Sequence, residues 1–227
     1  AAQALAKKPS SPTLTNQAQS ITARQAVGAH QIIYGRTRVG GNIVYMHTTD
    51  SNKYLHMVIA VAGHEIDAFE SFYANDEELG LDANGFTTSG STYGNKIRVK
   101  YAVGSHTTQP FTDLQSETAS TSGAWTSNHL LRGSALVYVR LEYDQDKFPN
   151  GIPNFSFLVR GKKVYDPRSD TTLWSANPAL CLNDYLTNTG YGLGCTYATE
   201  IDETALIASA NICDEDVNLS GGGTENK

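Results

Sequence analysis

Residues 53–63, KYLHMVIAVAG, narrow the possible folds more than any other stretch. The run is β-branched and almost continuous. Its length is that of a strand, far short of the roughly 18 apolar residues a membrane-spanning helix needs. Such a strand has no face to give to water, so it must lie centrally in a sheet that is covered on both sides. SALVYVRLEYD at 134–144 is a second strong strand.

Other segments alternate. KIRVKYAVG at 96–104 places Ile97, Val99, Tyr101 and Val103 inward. HEIDAFESFYAND at 64–76 puts Ile66, Ala68, Glu70 and Phe72 on one face, and Gly63 predicts a turn joining it to the preceding strand. In IIYGRTRVGGNIVYM at 32–46, Gly40-Gly41 predicts a tight hairpin turn with positive φ. It is not a phosphate loop: neither G-x-G-x-x-G nor G-x-x-x-x-G-K-[ST] occurs, and a strand, not a helix, follows. Residues 105–130 are Ser/Thr-rich and irregular, with a short helix expected near Phe111–Leu114. FSFLVRGKKVYDP reads as strand, Gly161, strand.

Two helices are expected at the end. Asn177 is suited to an N-cap and Pro178 to the first helical position, with Ala179, Leu182 and Leu186 on one stripe and Gly190 at C′. The second starts near Asp202 with Ile201, Ala205, Ala208 and Ile212 at helical spacing. Strands first and helices last predict an α+β fold, mostly antiparallel β with two C-terminal helices. The chain divides into a flexible arm over 1–28, a β-rich part over 29–145 with a loop insertion near 75–130, a strand-plus-helix part over 146–217 and a flexible exit over 218–227. The N-terminus has no signal-peptide h-region, and its lack of an initiator Met points to a processed chain or an excised piece.

The formal charge of −6 argues against a partner gripped by its phosphates. The odd cysteine count, Cys181, Cys195 and Cys213, argues against a disulfide framework and for reduced thiols. His64-Glu65 lacks the second histidine of a zinc helix, since Ala68 stands there. Calcium loops starting at Asp82 or Asp144 would need a glutamate where Tyr93 and Phe155 stand. Cys181 sits between two leucines, a buried place rather than a nucleophile's. No G-x-S-x-G elbow occurs, and nothing singles out Glu70 or Glu142 as glycosidase carboxylates. No cofactor, metal or catalytic residue is expected.

Residues 155–194, FSFLVRGKKVYDPRSDTTLWSANPALCLNDYLTNTGYGLG, carry an ordered set of residues: Gly161, Tyr165, Asp166 and Pro167, then Trp174, Asn177 and Pro178, then Asp184, Tyr185, Gly192 and Gly194. The set resembles the tip attachment protein J family of tailed phages, also called tail hub proteins. YGRTRVGG and IASANICDEDV are similar to its flanking segments. The resemblance implies a structural, non-enzymatic hub piece of a longer protein, located at the virion tail tip and assembled in the bacterial cytoplasm. It further implies a homotrimeric ring closing the tail tube, distal tail and tape-measure proteins as partners, host-receptor contact through absent C-terminal domains, and a part in DNA delivery. Arg36 and Arg38 are candidate contacts to acidic groups on a neighbouring subunit. The rival readings are a carbohydrate- or receptor-binding β module, with Trp125 and the twelve tyrosines as a sugar platform, and a tail-associated cell-wall hydrolase.

Overall fold

A computed structural model describes residues 28–218 and 222–226; the N-terminal arm and most of the C-terminal exit lie outside them. The run at 53–63 forms β3 (Tyr54–Ala62), flanked by β2 (Asn42–Thr49) and β7 (Ala135–Glu142), with β6 (Ile97–Ala102) on the far side of β7. This four-stranded antiparallel sheet, order β2-β3-β7-β6, faces a second one of order β1-β8-β4-β5. The latter holds β1 (Arg36–Val39), β4 (Ala68–Ala74), β5 (Glu77–Glu78) and β8 (Phe155–Arg160).

Between the sheets lies the main core. Met57, Ile59, Val61, Val137 and Val139 of the first sheet meet Phe69, Phe72, Phe157 and Val159 of the second. The opposite side chains of the same strands, Val58, Leu136 and Tyr138, form a second core with Phe111, Leu114 and Trp125. Residues 105–130 therefore act as the third layer, and their one helix is α1 (Thr112–Thr118). Double coverage explains why β3 and β7 are apolar on both sides. Trp125 is only 2% exposed, packed edge-on against Tyr45 and stacked on His129. It is core, and the sugar-platform reading of it is wrong.

The hairpin expected at Gly40-Gly41 does not form. β1 pairs with β8 and β2 with β3, so the two glycines carry the chain from one sheet to the other. Neither adopts a positive φ. Gly41 is needed for closeness: a Cβ there would stand 2.5 Å from the Ala60 carbonyl oxygen. Likewise, the turn at Gly63 leads from β3 out of its sheet into β4. The alternation expected across 64–76 also breaks. A register shift between Phe69 and Ser71 in the pairing with β8 moves Glu70 outward and turns both Phe69 and Phe72 into the core. Tyr101, expected inside, is 53% exposed, its ring tilted over Phe69 and Phe72 at the core's edge.

Past Gly161 the chain builds a smaller unit: the hairpin of β9 (Lys163–Asp166) and β10 (Thr171–Trp174), then α2 (Pro178–Thr187), the short α3 (Tyr197–Glu200) and α4 (Glu203–Cys213). Its core is Val164, Leu180 and Ala210. Leu206 and Ala179 pack beside them, while Leu182 and Ile212 are exposed. The apolar stripes expected on the two helices are thus not the buried ones. Gly190 is not the helix terminator either: Asn188 caps α2 in extended conformation, donating its N–H to the Asp184 carbonyl. β11 (Asp216–Asn218) pairs with β12 (Thr224–Asn226) beyond α4. No helix among the described residues is long and apolar enough to cross a membrane.

Candidate functional site

The residues singled out at 161–194 converge on the joint between the sheets and the helical unit. Asn177 caps α2 as expected: its Oδ1 accepts from the N–H groups of Ala179 and Leu180 at 3.0 and 3.3 Å. Its Nδ2 donates to the Ala210 carbonyl and to Asp214 Oδ1, both at 2.8 Å, tying the start of α2 to the end of α4. Pro178 takes the first helical position. Asp166 receives Arg168 through Nε at 2.9 Å and Nη2 at 2.7 Å, and Arg168 Nη1 reaches Asp214 at 2.8 Å. That guanidinium lowers the Asp166 carboxyl pKa. Pro167 opens the β9–β10 turn, and Tyr165 donates to Asp170 while meeting the Tyr197 ring edge-on. Trp174 donates from Nε1 to the Gly35 carbonyl at 3.3 Å and lies under the Arg160 guanidinium, 5.1 Å from its ring centre.

Asp184 is the pin of the joint. Its Oδ2 accepts from Tyr34 at 2.6 Å, Tyr191 at 2.7 Å and Lys162 at 3.0 Å. Burial pushes this carboxyl's pKa up, but the hydrogen bonds from Tyr34, Tyr191 and Lys162 outweigh it and hold it low. Tyr34 precedes β1 and Lys162 follows β8, so one carboxylate gathers both sheet-side chains onto α2. Gly192 and Gly194 fold the following loop back: both donate their N–H to the Asn188 carbonyl at 3.1 Å, and a Cβ on Gly192 would strike the Tyr185 carbonyl. Gly194 has φ +71°, where glycine is unstrained. The Tyr185 side chain itself is exposed. Asp184→Ala removes the one carboxylate shared by Lys162 and two half-buried phenols, leaving them only each other as partners, and is expected to lower stability by about 2 kcal/mol. Urea unfolding of the variant against the parent measures this, and an unchanged midpoint would remove Asp184 from the joint.

Arg36 and Arg38 do not join this cluster. Arg36 meets Glu70 at 2.5 Å; Arg38 donates to Ser156 and Asp76 and lies over the Tyr73 ring. Glu142, on the other sheet, pairs with Lys96. Asp82 and Asp144 spend an oxygen each on nearby backbone N–H groups as turn formers. Among the described residues no three His, Cys, Asp or Glu side chains are placed to hold a metal. Burial raises the pKa of the half-buried Cys181 thiol, which contacts the Ser175 carbonyl.

A second polar knot, not found from the sequence, lies under α1. Glu117 accepts from Arg98 and Arg140, each at 2.9 Å, and from the Tyr138 hydroxyl at 2.9 Å. Tyr138 gives its one proton to Glu117, so it accepts from His56 Nδ1 at 2.8 Å, and Thr49 completes the chain at His56 Nε2. His56 therefore carries a proton on Nδ1. The signal available was two arginines, Arg98 and Arg140, inside segments read as an alternating strand and a strong strand; buried cations require an acid.

Burial lowers the His56 pKa to about 4, against the partial pull of Glu117. Its folded pKa lies below its unfolded one, so its contribution is complete above about pH 6.5 and disappears as pH falls toward 4. Stability is expected to fall by about 1.4 kcal/mol per pH unit in that window from this group alone. Urea titrations across the window check this, with His56→Gln expected to flatten the slope.

No family model matches the chain. It is 37% identical over 108 residues to "Tip attachment protein J" of Escherichia phage SECphi27, a stretch covering 40% of this chain and 9% of that protein. Among solved structures it is similar to a chain of "Virion of native gene transfer agent (GTA) particle", with 16% identity and a TM-score of 0.44, covering 95% of this chain and 48% of that one. The latter likeness is too distant to carry an argument. The chain thus spans a small part of the longer curated relative it matches, and through that match it is similar to a phage tail-tip protein.

Proposed function

We propose that this chain is a structural, non-enzymatic piece of a phage tail tip, working as a rigid sector of a trimeric hub that closes the tail tube and supports host attachment and DNA delivery. The partners in this reading are further copies of the chain, the distal tail and tape-measure proteins and, through other parts of a longer protein, a host receptor. Assembly takes place in the host cytoplasm. The observation that carries the reading is how the family-like polar residues are used. Asp166 and Asn177 spend their polar atoms on clasping the β9–β10 turn, α2 and α4 to one another, and Asp184 on tying α2 to the segments beside the sheets. Groups engaged in this way fix a shape, which is what a sector of a closed ring requires.

Electron microscopy of intact particles labelled against this chain tests it. Label confined to the distal end of the tail supports the assignment; label on the capsid or along the tail shaft overturns it. The net charge of −6 further suits a conduit that DNA passes without adhering. Duplex DNA at low salt is accordingly expected to give no retarded complex in a gel-shift assay, and tight binding would remove the conduit reading.

A further inference from the structure

Between α2 and α4 runs an open groove of about 300 Å³, lined by Ala179, Leu182, Leu186, Ile201, Ala205 and Leu206. These include the predicted stripe of α2, Ala179, Leu182 and Leu186, and the first two members of the α4 stripe, Ile201 and Ala205. Leu182 is 56% exposed. On the floor, Asn183 is 4% exposed, and its side-chain oxygen accepts no hydrogen bond among the described residues.

The rim is acidic. Glu200 and Asp202 line it and Glu203 follows at the start of α4, while the nearby Asp184 and Asp214 are already paired with Lys162 and Arg168. Glu200, Asp202 and Glu203 accept from the Thr196 N–H, the Ala205 N–H and the Tyr197 hydroxyl, all neutral donors. From these features we infer that the groove is a docking site for a basic amphipathic α-helix of a partner protein. Its apolar residues at i, i+3, i+4 and i+7 fill the groove, and its lysines or arginines face the rim. A second copy offering the same face would bring acid against acid, which disfavours that occupant. The inference rests on this surface alone and stands whether or not the chain belongs to a tail tip.

The test uses the whole 227-residue chain and two synthetic helices, one of leucine and lysine with leucines at that spacing, the other with glutamate replacing lysine. Fluorescence anisotropy is expected to show binding of the Leu/Lys helix alone, weakening as salt rises. Leu182→Glu is the deciding variant: it adds negative charge on an exposed position but spoils the apolar floor. Affinity is expected to drop at least tenfold, with the circular dichroism spectrum unchanged. Glu200→Gln is expected to weaken binding two- to fivefold and lessen its salt dependence. Four outcomes overturn the proposal: no binding; equal binding of both helices; binding unchanged or tighter in Leu182→Glu, which would mean charge attraction without docking; and self-association of the chain abolished by Leu182→Glu, which would give the groove to a second copy.

Discussion

Replacing Glu117 with alanine is expected to lower stability by about 4 kcal/mol, and the thermal midpoint by roughly 8–16 °C for a chain of this size. One carboxylate neutralises two arginines, of which Arg98 is 8% exposed, and also accepts from Tyr138. Without it, Arg98 and Arg140 face each other across paired positions of β6 and β7, with only the half-exposed Asp113 carboxylate, 3.9 Å from Arg98, left as counter-charge. Removing one member of a buried ionic cluster strands the rest, which costs more than the cluster contributed as a whole. Glu117→Gln keeps an acceptor and is expected to fall between the parent and the alanine variant. Thermal and urea unfolding decide the matter; a loss below about 1 kcal/mol would mean that the arginines regain water when α1 shifts.

Gly161→Ala is expected to cost about 3 kcal/mol or more. The position is closed in by backbone. Its N–H donates to the Gly35 carbonyl at 2.8 Å and its carbonyl accepts from Asp67 at 2.9 Å. A Cβ would strike the Ile33 carbonyl, which already accepts from Lys162 at 2.8 Å. None of these atoms is the end of a flexible side chain, so β8 or the segment before β1 must move. That displacement also shifts Tyr34 and Lys162, loosening the hold on Asp184. Gly90→Ala is the control: nothing lies within 4 Å of its added Cβ, and its backbone is unstrained. It is expected to stay within about 0.5 kcal/mol of the parent. Equal effects of the two substitutions would refute the crowding argument.

Local signals in this sequence were read well where the physics is local. The Asn177-Pro178 start of α2 and the Asp202 start of α4 rest on caps a few residues long, and both are present. The apolar continuity of β3 reported double coverage because burial leaves its mark on each strand separately. Pairing was another matter. Gly40-Gly41 and Gly63 signal that the chain changes course, but not that it leaves the sheet, since the partner of β1 lies at Phe157–Arg160. Glu117 was illegible because its partners sit on two distant strands, β6 and β7, and only the misplaced arginines pointed to it. The helix stripes misled for a different reason: an apolar face reports that something covers it, whether this chain's own core or a separate molecule.

The order in which strands enter the two sheets has a kinetic corollary. The chain changes sheet between β1 and β2, β3 and β4, β5 and β6, and β7 and β8. The last arrival, β8, inserts between β1 and β4, strands that precede it by about 120 and 85 residues in the chain. During synthesis, β1 and β4 must wait with bare edges until residue 160 has left the ribosome. Closure of such long loops before any reward places the nascent chain among slow folders. It also makes the interval before β8 docks the time of greatest exposure to wrong partners.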